Sequence, residues 1–294
     1  MFNVRFDGSF AGWRKAARDL LQQDIAPHQI SWLEREAPGG LFDDASAPSP
    51  VSAGPALRIP RQFLELLEDA AQYRMDDRWS LLYRILWRVV QGDRAAMLPG
   101  DADGSELHRR LKAVRREAHH LHAFLRFRPL SPPTDERPEG MPEFIAWHEP
   151  AHDILHSASP HFADRMGSHS WLIATPDDGV YWDGQALHHQ RPCPAHWQQL
   201  ARTEDDEGQA LWLAYYGSTF NPARLNRGVL ENNMPVRFWK NLPEGPLIPQ
   251  LMSQARAGAQ RDGQAEAVAR QEGKRIRYNG KAPISGSDAP GSPR

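Results

Sequence analysis

Phe2, Val4 and Phe6 alternate with Asn3 and Arg5, a two-residue period that predicts a strand. Asp7-Gly8-Ser9 predicts the turn that follows. Gly8 takes a positive φ at little cost, and Asp7 or Ser9 is placed to cap a helix. That helix is predicted from Phe10 to about Gln23, with Trp13, Ala17, Leu20 and Leu21 on one face. Residues 37–61 hold five Pro and three Gly and predict a long loop. Two helical runs come next. Phe63, Leu66, Leu67, Ala70 and Ala71 make one stripe, and Leu82, Leu86, Val89 and Val90 make another, stopped by Gly92.

The most regular helix is predicted over Ser105 to about Phe124, where Leu107, Leu111, Val114, Ala118 and Leu121 draw a single apolar line. Beyond it Phe124, Arg126 and Arg128 alternate as a strand would. A Pro-rich loop over 131–142 leads to a short strand at Phe144–Trp147. Residues 171–175 and 180–182 then flank Asp-Asp-Gly as a β-hairpin. Thr203 with Asp206 opens a further helix carrying Leu211, Trp212, Tyr215 and Tyr216. These elements predict an α+β fold. It has a small antiparallel sheet of about five short strands, the first strand included, and a larger helical portion with 62–122 as its subdomain. Residues 256–279 read as a helical extension, and 280–294 as a disordered tail.

Charge changes the reading locally rather than globally. Thirty-five Lys+Arg against 37 Asp+Glu leave a net charge of -2, which excludes a wholesale polycation. Residues 109–128, however, hold seven Lys/Arg and only Glu117 as an acid. Arg115, Arg116, Arg126 and Arg128 are the candidate phosphate contacts, with Lys240 beside them in Arg237-Phe238-Trp239-Lys240. Aromatic rings interleaved with cations also suit base stacking. The alternative is an ordinary solvated helix face followed by a strand with one buried aromatic side.

Twelve of the thirteen His lie between 108 and 196. His148-Glu149-Pro150-Ala151-His152 matches H-E-x-x-H, but Pro150 opposes the helix that this zinc motif requires. His152 and His156 would share a helix face if Pro150 opened the helix, and a metal there needs Asp153 or His161 as a third ligand. No cofactor is expected. The single Cys193 excludes a disulfide framework and multi-Cys zinc. The nucleotide-binding glycine loops are absent too. An enzymatic site would gather Glu149, His152, Asp153, His161 and Arg165. Its histidines would act as acid or base, its carboxylates would orient them, and its arginine would meet phosphate charge. No run of about 18 apolar residues and no secretory h-region is seen, so the expected setting is the cytoplasm, away from membranes.

Five ordered segments carry a resemblance: FDGSF from Phe6, VRREAHHLHAFLRFR over 114–128, EPAHDIL over 149–155, SPHFADRM over 159–166 and MPVRFWKNLPE over 234–244. Together they resemble a bacterial family described as DNA metabolism or DNA repair proteins, carrying domain of unknown function 4130. The resemblance covers residues 1–255. Phe6 stands where the family favours tyrosine and His120 where a basic residue is commoner, and the 37–61 loop is particular to this chain.

The resemblance implies a nucleic-acid-binding accessory with DNA and a radical-SAM DNA repair or modification protein as partners. It also implies an association with a uracil-DNA glycosylase-like protein. The chain has no C-x3-C-x2-C motif, so radical chemistry would belong to the partner. Two alternatives stand beside this one: an enzyme acting on DNA or nucleotides, and a protein-interaction module without DNA binding.

Overall fold

The computed structural model describes residues 2–34, 59–130, 141–202, 209–221 and 224–257. The predicted disordered tail, the helical extension past 257, Thr203 with Asp206, and most of both Pro-rich loops lie outside these residues.

The α+β class expected from the sequence is the class found. β1 (Phe2–Phe6) pairs in parallel with β2 (Ile30–Glu34), and α1 (Phe10–Gln22) connects them. Gly8 has φ +78°, and Ser9 caps α1 by accepting from the Gly12 amide at 3.0 Å. The predicted stripe Trp13, Ala17, Leu20 and Leu21 is buried. Trp13 sits among Phe10, Trp32 and Trp79. α2 (Arg61–Ala71) and α3 (Arg78–Val90) complete this first core, and Gly92 just beyond α3 has φ +94°.

α4 (Ala102–Phe124) runs through both halves of the molecule. Leu107 and Leu111 close the first core, whereas Val114 and Leu121 belong to a second. That second core lies under a five-stranded sheet ordered β3 (Arg128–Pro129), β4 (Phe144–Trp147), β5 (Trp171–Ala174), β6 (Gly179–Trp182) and β7 (Leu187–Gln190). α5 (Leu155–Ala158) and α6 (Pro160–Met166) cover one face with Leu155, Ala158 and Phe162 against Trp171 and Ile173. α7 (Ala195–Arg202) covers the other, where Ala174 meets Ala201 and Trp197. Every residue of β5 is buried, as befits a central strand covered on both sides. α8 (Gln209–Thr219), α9 (Arg227–Asn233), a 3-10 turn at Val236–Asn241 and α10 (Leu247–Ala257) follow.

The structure corrects three details of the expected topology. The sheet is mixed, because β4 and β5 pair in parallel while its other pairings are antiparallel. The α5–α6 crossover makes that pairing available, since parallel neighbours need a long connection. β1 lies outside this sheet, since alternation predicts a strand but not its partner. The strand expected from Phe124 is mostly helix and coil. The Leu125 amide still donates to the Leu121 carbonyl at 3.0 Å, and Phe124 packs on His120, one helical turn back.

Candidate functional site

α4 is capped by Asp101, whose carboxylate accepts from the amides of Asp103 and Gly104. Its basic run divides by direction. Arg110 is 1% exposed and donates to Glu106 and Asp77, both at 2.7 Å. Arg109 is bound to Glu106. Arg126 pairs with the buried Glu244 at 3.2 Å and faces the Trp212 ring. Arg128 donates to the Leu200 carbonyl at 2.6 Å.

Lys112, Arg115, Arg116 and His119 remain exposed, at spacings that share one helix face. Arg115 lies 3.9 Å from Asp69, and Arg116 donates to the Asn232 carbonyl at 3.1 Å. The predicted phosphate contacts therefore separate. Arg115 and Arg116 form part of an open basic face. Arg126, Arg128 and Lys240 are turned to protein partners, Lys240 to the Glu149 carboxylate.

The five residues of the expected catalytic cluster also diverge. Glu149 accepts from Lys240 and from the Trp147 indole at 3.1 Å, and the Lys240 bond holds its carboxyl below the usual range. Asp153 binds Arg74 and Arg78 at 2.7 Å and Arg191 at 2.8 Å. Burial works against its charge, yet the Arg191, Arg78 and Arg74 contacts outweigh burial and bring its pKa to about 2. Such a carboxylate joins the α2–α3 connection to the loop after β7 rather than serving as a base. His161 stacks on His122 with ring centres 4.1 Å apart, and Arg165 is exposed further along α6. His156 contacts His189 at 4.3 Å.

The H-E-x-x-H segment is not helical, as Pro150 demands. The idea that His152 and His156 share a helix face is corrected too, because α5 starts only at Leu155. The Asp153 amide is held by the Gln72 carbonyl at 2.8 Å, which keeps the preceding residues out of the helix. Among the described residues no group of three or more His, Cys, Asp or Glu is arranged to hold a metal ion.

Of the five, His152 is the one that lines the cleft beside Glu117. The cleft has a volume of about 320 Å³ and is lined by Ala113, Arg116, Glu117, His120, Ala151, His152, Pro235 and Arg237. Glu117 is 3% exposed and accepts from the Ala151 amide at 2.7 Å and from both terminal nitrogens of Arg237. Burial opposes its ionisation, but the Arg237 and Ala151 bonds prevail and lower its pKa. His120 packs edge-on against Phe238, and His148 stacks on the same ring at 5.5 Å. His152 lies 4.3 Å from the Tyr73 ring. Burial pushes His148 down to about 4 and lowers His120 and His152, so these imidazoles favour the neutral form against the pull of Glu117.

Three ring nitrogens, His120 Nδ1, His148 Nε2 and His152 Nδ1, are buried without a hydrogen-bond partner. Each such group costs about 1–3 kcal/mol when left unmet. Their grouping beside the Glu117–Arg237 ion pair, whose carboxylate is buried, is chemically distinctive: neutral imidazoles able to accept or donate, next to fixed guanidinium charge.

A family model, a domain of unknown function designated DUF4130, matches residues 76–244, more than half of the 294-residue chain. The chain belongs to the DUF4130 family. No curated protein and no solved structure matches it. The DUF4130 span holds the whole exposed face of α4 and every residue lining the cleft. It leaves out β1, α1, β2 and α2, so the family match is narrower than the 1–255 resemblance.

Sequence reasoning missed Glu117, His120, His148 and Arg237 as parts of one site. A signal for two of them was present. Glu117 and His120 fall near the Val114–Leu121 line, so the apolar stripe of α4 carries polar residues that have to be satisfied inside. Arg237 and His148 meet them only through long-range folding.

Proposed function

We propose that this DUF4130 protein is a nucleic-acid-binding accessory of DNA metabolism. Lys112, Arg115, Arg116 and His119 would meet the phosphate backbone. The observation that carries the reading is the segregation within α4: Arg109 and Arg110 are hydrogen-bonded to acidic neighbours, while these four side chains are exposed together on one face, with Arg115 3.9 Å from Asp69. Contacts of this kind position a nucleic acid without reading its sequence. The resemblance to DNA metabolism proteins supports placing the surface beside a radical-SAM partner in a bacterial cytoplasm. It also supports an association with a uracil-DNA glycosylase-like protein.

Equilibrium binding to labelled single-stranded, duplex and uracil-containing DNA over a salt series tests this reading. Affinity is expected to fall linearly with the logarithm of salt, with a slope of about -0.9 for each duplex phosphate neutralised. No binding to any of the three at low salt would overturn it.

A second reading, an enzyme acting on DNA or nucleotides, is favoured by the cleft. Its residues would be Glu117, His120, His152 and Arg237 rather than the group chosen from sequence.

A further inference from the structure

We infer that the cleft between α4 and the Val236–Asn241 turn binds a phosphoryl group, that of a phosphomonoester or of free phosphate, with Arg116 and Arg237 supplying charge and His120 and His152 supplying hydrogen bonds. This inference rests on the cleft, which shares Arg116 with the outer face of α4 but not Lys112, Arg115 or His119.

The donors come from three separate parts of the chain. Arg116 and His120 stand on α4, Arg237 on the turn, and His152 on the connection before α5. A planar carboxylate offers two oxygens in one plane. A tetrahedral phosphoryl group offers three, suited to donors that converge from several directions. The charge agrees. Glu117 is already satisfied by Arg237 and the Ala151 amide, so the cleft carries two guanidinium charges against one carboxylate before any imidazole is protonated. Arg237 is 43% exposed on its side chain, and Arg116 is exposed. His120 and His152 each line the cleft while keeping Nδ1 buried and unpartnered. The volume of about 320 Å³ leaves room beyond phosphate for an attached sugar or base.

A bound dianion would favour the protonated imidazoles. His152 is faced by Glu117, Arg237, Arg74, Asp153 and the Tyr73 ring. His120 is faced by Glu117, Arg116, Arg237, His119 and the rings of Phe124 and Phe238. Burial lowers both histidines in the free protein. Binding of the dianion should therefore raise the titration midpoints of both imidazoles.

The full chain, labelled with 15N-histidine, is followed by imidazole NMR on adding inorganic phosphate, a nucleoside 5′-monophosphate, or the same nucleoside without phosphate. His120 and His152 resonances are expected to shift with both phosphate compounds, and their titration midpoints to rise. A tighter response to the nucleotide assigns an organic phosphomonoester; an equal response assigns free phosphate. Either upholds the site. Arg116→Gln, whose one described bond is to a backbone carbonyl, should weaken phosphate binding about tenfold. Arg61→Gln, on α2, should leave it unchanged. No shift with millimolar phosphate or nucleotide, or an equal response to the bare nucleoside, would overturn the inference.

Discussion

His148 lies against Phe238 with the ring planes 16° apart, and burial pushes its pKa down to about 4 from an ordinary 6.5. The unfolded chain takes up this proton first as pH falls. Stability from His148 is therefore full above about pH 6.5 and is lost as pH falls through 4, by up to about 3 kcal/mol. His189, depressed to about 4 by burial and by His156, acts in the same window. Asp153, held at about 2, contributes above pH 4 and is lost only as pH falls towards 2. Thermal unfolding should show Tm declining from pH 6.5 to 4. His148→Phe, which keeps a ring on Phe238, should flatten that decline; an unchanged slope would contradict the assignment. None of this was legible in the sequence. His148 and Phe238 are 90 positions apart, and the histidine cluster there gave no sign of which rings would be buried.

At the level of elements, helices were the most legible part of the chain. The stripes of α1, α2 and α4 each predicted a buried face, because a 3.6-residue period constrains which side chains can meet a core. β2 and β7 were missed. Ile30–Glu34 and Leu187–Gln190 are short, and their exposure depends on neighbours rather than on simple alternation. α4 also contains a position where local preference misleads. Replacing a helical glycine with alanine ordinarily stabilises by about 1 kcal/mol. At Gly104 an added Cβ would stand 2.0 Å from the Leu98 carbonyl oxygen, a backbone atom with little freedom to move. Gly104→Ala is therefore expected to destabilise by about 1–3 kcal/mol in urea denaturation. A gain in stability would show that the turn before α4 yields easily.

Over the whole molecule, the two cores share one helix. Leu107 is fully buried in the first and Leu121 in the second, and α4 joins them without a break. Leu107→Ala and Leu121→Ala should each cost about 2–5 kcal/mol and shift one common unfolding transition. Two resolved transitions, each moved by only one variant, would contradict the coupling. The α+β class was readable because the periods of the elements were. The mixed sheet order was not, since it depends on the path of the α5–α6 crossover. The candidate site was half readable: the run over 109–128 announced a basic surface, but only the fold shows that Arg110 is buried and that Arg126 and Arg128 turn to protein partners.

The most direct test of the proposed function is the salt dependence of duplex DNA binding by the native chain beside a Lys112→Glu/Arg115→Glu variant. Both side chains are exposed on α4, so the variant should keep its fold. Weaker binding and a log–log salt slope shallower by about 2 are expected. Equal affinity and equal slope for the two proteins would contradict it.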